Sequence, residues 1–245
     1  MSLILSIPGL EVFPVRSAAE YREARRLHAS CYLEAGYVHP TEVGADGMVD
    51  DPWVPVSDYF VAVDTDDDSV VGTCRIINPS VCGFPAFTGC ELLPESWETF
   101  ARLDPNRCVE ISALATTRDG MQNMAISAAL YGKVWRESIL SERGYMLAVM
   151  DNRLMRIMKR WFHFPFEPLG RTVDYMGSPS TPVSMYLPRL VETHVDEHPE
   201  ELAFFSGEIS FADLKDYAID LRTKVPEHRA TVIDLTKADD GIRTW

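Results

Sequence analysis

The chain has 245 residues and a mass of 27.6 kDa, enough to bury a sizeable core in one large domain or two small ones. Hydrophobic residues make up 46% and charged residues 24%, ordinary globular usage that excludes wholesale disorder and fibrous repeats. Lys and Arg number 23 against 37 Asp and Glu, a formal charge of −14; an acidic surface of that kind repels phosphate backbones, so nucleic acid is not the expected main partner.

No run approaches the ~18 apolar residues of a membrane helix. The opening MSLILSIPGLEVF carries no Lys or Arg and is broken by Pro8, unlike a secretory or transit peptide. Five cysteines (Cys31, Cys74, Cys82, Cys90 and Cys108) form no C-x-x-C pair, so no metal is expected and free thiols fit a reducing cytoplasm.

In chain order, EVFPVR (11–16) reads as a strand, and Ser17 with Glu20 has capping-box spacing for a helix over 18–34. Residues 36–56 are dense in Gly, Pro and Asp without period, a long loop of the kind that often carries function. DYFVAVD (58–64) and SVVGTCRIIN (69–78) flank an acidic turn and predict a β-hairpin. A short helix over 94–103 and a central strand over 107–117 follow. The next helix is expected to close at Gly144 as C-cap, YMLAVM (145–150) suits a strand covered on both faces, and Asp151 or Asn152 should cap an amphipathic helix. PVSMYL (182–187) predicts a last strand. From Leu190 the chain holds thirteen acidic and six basic side chains with helical spacing, and is expected to be an acidic, mainly helical extension (190–245) appended to a domain spanning 1–189.

This order, together with CYLEAGYV, DDPWVPVSDYFVAVD, VVGTCRI and VEISALATT, resembles the GNAT acyltransferase superfamily, and within it the acyl-homoserine-lactone (autoinducer) synthases and N-acyl amino acid synthases. The resemblance covers roughly residues 11–188. It implies an α/β (α+β) fold with a mixed, mostly antiparallel central sheet and helices on both faces. It also places Arg25 or Arg26, with Arg26 taken as the substrate contact, Asp46 and Asp50 or Asp51 around the acceptor, Arg75 on the hairpin, and Glu110 and Ser112 on the central strand. Three positions depart from the pattern: Ala113 stands where the families often have Arg after Glu-x-Ser, and Lys159 and His163 stand where acetyltransferases have Tyr and Gly. The pyrophosphate loop that the resemblance implies falls on Arg118-Asp-Gly120-Met-Gln-Asn123, one Gly short, and Asn152 completes the donor set. A loop so reduced favours a donor that presents only a phosphopantetheine arm.

Aminolysis of a thioester needs a neutral amine and a polarised carbonyl, with no covalent enzyme nucleophile. In the fold that the resemblance implies, a bulge or splay over Ser112, Ala113, Leu114 and Ala115 would free backbone N–H groups for the acyl oxygen. Glu110, raised by burial, would take the ammonium proton, or else pair with Arg75 as a structural strand residue. Arg75 would bind an acceptor carboxylate or form that pair. Residues 133–171 hold eight basic and four acidic side chains, +4, leaving −18 for the remainder. That segment, which borders the thioester entrance in the fold the sequence resembles, is either a docking face for an acidic acyl carrier protein or two amphipathic helices with ordinary solvated faces.

The expected activity is N-acyl transfer of a medium or long acyl group from an acyl carrier protein or acyl-CoA thioester to a small-molecule amine such as an amino acid. The acyl-phosphopantetheine is a co-substrate, and no tightly bound cofactor is expected. The alternatives are a conventional acetyl-CoA-dependent N-acetyltransferase and a catalytically silent acyl or carrier-protein binding module.

Overall fold

The computed structural model describes residues 8–117 and 120–228. The first strand, β1 (Leu10–Pro14), ends where Pro14 removes a donor, two residues short of its sequence-predicted limit. The capping box then closes on both sides: Ser17 Oγ accepts from the Glu20 N–H at 3.2 Å, and the Glu20 carboxylate accepts from the Ser17 N–H at 3.0 Å, opening α1 (Ala18–Glu34). The predicted hairpin is β2 (Ser57–Asp64) and β3 (Ser69–Ile77). Two short helices, α2 (Pro85–Thr88) and α3 (Pro94–Ala101), lead into β4 (Cys108–Thr116) and α4 (Gly120–Leu140). Next come β5 (Tyr145–Asp151), α5 (Asn152–Phe162), the short β6 (Glu167–Pro168) and β7 (Val173–Tyr175), and β8 (Ser178–Tyr186). The last strand starts four residues earlier than the sequence predicts, because Met176 and Gly177 form a two-residue turn, both at positive φ, that pairs β7 with its beginning.

The strands form one sheet in the order β1-β2-β3-β4-β5-β8-β6, with β7 on β8; every pairing is antiparallel except β4 with β5. That parallel pair holds only from Cys108–Tyr145 to Glu110–Leu147, after which β4 and β5 part, while β5 stays paired with β8 as far as Asp151. The sheet is therefore splayed at its centre.

Strand alternation divides the two faces. Cys74, Ile76, Val109, Ile111, Met146 and Met150 pack with Ile126, Leu130, Tyr131 and Val134 of α4 and Met155 and Met158 of α5. Arg75, Glu110 and Ser112 point to the opposite face, which α1 covers through Ala24 against Tyr59 and Val61. Gly72 in β3 lets α4 approach: a Cβ there would meet Ile126 Cγ2 at 2.6 Å and Leu130 Cδ1 at 3.1 Å.

Helices α6 (Leu187–Glu197), α7 (Pro199–Ser206) and α8 (Phe211–Lys224) build on this frame. Leu190, Leu202, Phe205, Leu214 and Ala218 join the α4-side core, whereas Leu221 and Val225 join the second cluster around Tyr145 and Leu147. Tyr145 Oη donates to Pro226 O and accepts from the His228 N–H, both at 2.6 Å, and Tyr186 Oη donates to Val225 O at 2.7 Å. One expectation needs correcting here. Gly144 is not a left-handed helix cap, since α4 ends at Leu140; a Cβ at Gly144 would instead lie 2.8 Å from Val225 Cγ1, so the glycine admits this returning segment. Among the described residues no helix is long and apolar enough to cross a membrane.

Gly72→Val should destabilise the fold by about 1–3 kcal/mol through overpacking against Ile126, read as a lower urea midpoint with an unchanged m-value. An unchanged midpoint would mean that α4 shifts freely on the sheet.

Candidate active site

Arg75 is the centre of the α1-covered face. It is 5% exposed, and its guanidinium makes four hydrogen bonds: Nε donates to Ser112 Oγ at 2.7 Å, Nη2 to Asp51 Oδ2 at 2.7 Å, and Nη1 to Asp51 Oδ1 at 3.2 Å and Tyr59 Oη at 3.3 Å. Burial opposes its charge, but the Asp51 carboxylate outweighs that and holds the pKa above its ordinary value. The strand register sets Arg75 opposite Ser112, and Asp51 arrives from the loop, where its Oδ1 also accepts from the Trp53 N–H at 2.9 Å. The bidentate partner of Arg75 is thus Asp51, and the alternative pairing with Glu110 is not formed. An incoming carboxylate would have to displace Asp51 to reach Arg75.

Glu110 is 1% exposed and accepts from the Ala86 N–H at 2.9 Å. Burial pushes its carboxyl up to about 8; the Ala86 hydrogen bond and the positive field of Arg75 pull the other way. Arg25 is the buried arginine of α1; it donates to Val49 O at 2.7 Å and pairs with Asp50, whose side chain is largely exposed. Arg26 lies outside this face, exposed, with Nε on the Asp46 carbonyl at 2.9 Å, and the Asp46 carboxylate caps the Met48 N–H. Asp50, Asp51, Arg25, Arg75, Ser112 and Glu110 therefore converge on one face of the sheet, and Arg26 and Asp46 form its outer rim.

Ala113 and Leu114 together oppose the single residue Cys74, so β4 carries a bulge, and Ala113 adopts φ +54°. A non-glycine residue in that region is strained by about 1–3 kcal/mol. The bulge lies one turn of the pleat beyond the point where β4 leaves β5, so the backbone edge of 111–115 faces the splay rather than a strand. On the α4 side the splay is closed over by side chains: about 10 Å³ of free space, room for one water at most, lies among Ile111, Tyr131, Met146, Met150, Phe164 and Met185.

Of the donor set, Arg118 lies outside the described residues. Gly120 begins α4, Asn123 Oδ1 accepts from Ser127 Oγ at 3.1 Å, and the Asn152 amide is held by Thr172 and Thr181 at 3.3 and 2.7 Å. Asp151, not Asn152, caps α5, accepting from the Arg153 and Leu154 N–H groups.

Four nearby residues were missed from sequence. His28 is 8% exposed, its Nε2 has no hydrogen-bond partner among the described residues, and burial pushes it down to about 4, helped by Arg75 and Arg25. Tyr32 stacks edge-on to His28, Tyr59 binds Arg75, and Tyr175 is held up to about 12 by burial and by Glu110. The helical spacing Arg25, His28, Tyr32 (i, i+3, i+7) was a readable signal for one face of α1.

The buried acid has a consequence for stability that needs no substrate. Its folded pKa of about 8 exceeds its reference value of 4.5, so between these values the folded chain holds a proton that the unfolded chain releases, and stability falls as pH rises. The slope reaches about 1.4 kcal/mol per pH unit. His28 acts oppositely, adding stability from about pH 4 up to 6.5, and is flat above that. Urea unfolding between pH 7 and 8 should therefore show a steeper loss for the parent than for Glu110→Gln; equal slopes would mean that Glu110 is ionised throughout.

The profile of the N-acyl amino acid synthase FeeM family matches residues 23–187, well over half of the chain. Among solved structures, FeeM, an N-acyl amino acid synthase from uncultured soil microbes, superposes with a TM-score of 0.57 at 15% identity, over 75% of this chain and 93% of that one. The CoA-dependent acyl-homoserine lactone synthase BjaI, solved with SAM and isopentyl-CoA, gives 0.58 at 15% identity over 94% and 98%. The acyl-homoserine lactone synthase LasI gives 0.56 at 14% identity over 72% and 88%. No curated protein sequence matches the chain. With the splayed sheet, the bulged central strand and the extent of the profile match taken together, the chain belongs to the FeeM N-acyl amino acid synthase family and is an acyltransferase of GNAT-like fold.

Proposed function

We propose that this acyltransferase moves a medium or long acyl group from an acyl carrier protein or acyl-CoA thioester to the amine of an amino acid or a related small molecule. The observation that carries this reading is Glu110: a carboxyl with a pKa of about 8, buried beside a splayed, bulged strand. An α-amine titrates near the same value, so Glu110 is matched to accept its proton, directly or through one water. The neutral amine then attacks the thioester carbonyl, and the C–N bond forms as the backbone edge at 112–115 receives the oxyanion. Collapse breaks the C–S bond, and the second amine proton leaves with the phosphopantetheine sulfur.

Because Asp51 takes both arms of the Arg75 fork and Ser112 and Tyr59 two further N–H groups, we assign Arg75 to positioning rather than to bidentate binding of the acceptor carboxylate. The open Nε2 of His28 and the buried, likewise unpartnered Nε of Arg25 are the polar atoms that an acceptor oxygen would satisfy. Met146, Met150 and Met185 line this closed seam, and an acyl chain would enter it as these flexible side chains part. The basic docking face narrows to α5. Arg136 is turned inward onto Phe205 O, Lys133 pairs with Glu137, and Arg143 donates to Asn78 and Asn106, leaving Arg153, Arg156, Lys159 and Arg160 exposed along one helix and Arg171 exposed beyond it. The five cysteines are free, which supports a cytoplasmic setting.

Incubation with acyl carrier protein and acyl-CoA donors of several lengths, pooled amino acids and, separately, SAM, followed by mass spectrometry, tests the reading. An N-acyl amino acid is expected, and acetyl transfer alone would overturn it. Glu110→Gln should lower kcat about 10²–10⁴-fold while leaving the chain folded; undiminished turnover would remove Glu110 from the chemistry. Arg153→Glu with Arg156→Glu should raise KM for a carrier-protein donor and spare a small thioester, whereas equal effects on both would argue against docking on α5.

A further inference from the structure

At the end of α5, where acetyltransferases of this architecture are expected to carry Gly, the chain has His163, and its backbone adopts φ +51°, a conformation that favours glycine. The strained backbone places the imidazole against two residues of the C-terminal helices. His163 stacks on His198 with ring centroids 3.7 Å apart and planes 6° from parallel, and His163 Nδ1 lies 2.9 Å from Glu201 Oε2. His198 sits at the α6–α7 junction and Glu201 in the first turn of α7, so three elements contribute. One ligand atom from each side chain lies within 4.8 Å of the other two.

We propose that His163, His198 and Glu201 form a binding site for a borderline divalent transition cation, Zn²⁺ being the best fit, which clamps the end of α5 to the α6–α7 junction. Two imidazoles and one carboxylate are the donor set that suits such an ion, and a hard cation such as Mg²⁺ would not select it. His163 Nδ1 is hydrogen-bonded to Glu201 Oε2; the ion replaces that bond, and since it must lie in the plane of each imidazole that binds it, the stacked rings tilt out of parallel on binding. Tetrahedral zinc with bonds near 2.0–2.1 Å needs ligand atoms about 3.3 Å apart; the His163 and Glu201 side chains, 40% and 23% exposed, have the freedom to close the remaining gap. His194 stands behind as support: it is 1% exposed, with Nε2 on Phe162 O at 2.9 Å and 3.8 Å from Glu201 Oε2. Three ligands leave a fourth position for water. His194 and His198 have H-x₃-H spacing, but His194 is turned inward onto Phe162 O, and His163 and Glu201 join His198 only through packing.

The site is independent of the acyl-transfer reading, and its test needs no turnover. Tag-free protein, stripped with chelator, is titrated with Zn²⁺ by calorimetry and with Co²⁺ by visible absorption, and its melting temperature is followed. The expected result is one ion per chain, a Zn²⁺-dependent rise in Tm, and affinity reduced at least 10-fold in His163→Ala, in His198→Ala and in Glu201→Gln. Cys82→Ser, which removes an exposed thiol, should bind like the parent. Binding by the His163→Ala/His198→Ala double variant that equals the parent, loss of binding in Cys82→Ser, or no stoichiometric ion in the parent would each overturn the proposal.

Discussion

An ionised guanidinium held inside the sheet governs the architecture of this protein. Moving such a charge out of water is opposed by several kcal/mol, and removing one partner of a buried pair leaves that penalty uncompensated. Arg75 avoids this only if Asp51, Ser112 and Tyr59 all arrive. Asp51 fixes the long loop, Ser112 fixes the start of the bulge in β4, and Tyr59 ties in the neighbouring strand on which α1 rests. The same positive charge lowers the neighbouring His28 and restrains Glu110 from rising further. One side chain thus sets both the position and the protonation of the groups around it.

Local chemistry was legible in the sequence where it depends on near neighbours. The Ser17–Glu20 capping box and the hairpin follow from spacing, the α5 cap was narrowed to Asp151 or Asn152, and a bulge or splay at 112–115 was implied by the family resemblance. Contacts between remote segments were not legible. Asp51 was one of several acids in an aperiodic loop, and nothing local marks it as the partner of Arg75. Gly144 read as a helix cap because its conflict with Val225 involves a residue 81 positions later. The basic character of 133–171 was visible as a sum, but the inward turn of Arg136 onto the Phe205 carbonyl is a fact of packing.

The centre of the sheet is where strain and opportunity coincide. β4 is bulged on the β3 side and released on the β5 side within a few residues, with Ala113 left-handed between. A strand so disturbed persists only because its flanks are held: Cys108 to Glu110 pair with β5, Glu110 to Ser112 pair with β3, and Gly72 and Thr73 hold the far end. The two faces then divide the labour, polar and pKa-shifted under α1, apolar and methionine-rich against α4.

The hydroxyls of Tyr145 and Tyr186, at the foot of the two strands beyond the splay, are satisfied by backbone from Val225 to His228. These contacts span 39 to 83 residues, so loop closure over that distance must precede them. During synthesis the hairpin, α1 and α4 can dock early from local contacts, but β5 and β8 keep two buried hydroxyls unpaired until α8 has been made and laid down. The acidic C-terminal helices therefore act as the last stave of the sheet: a ribosome that stalls within them would leave a nascent chain with its first half settled and its second half open to non-native strand pairing.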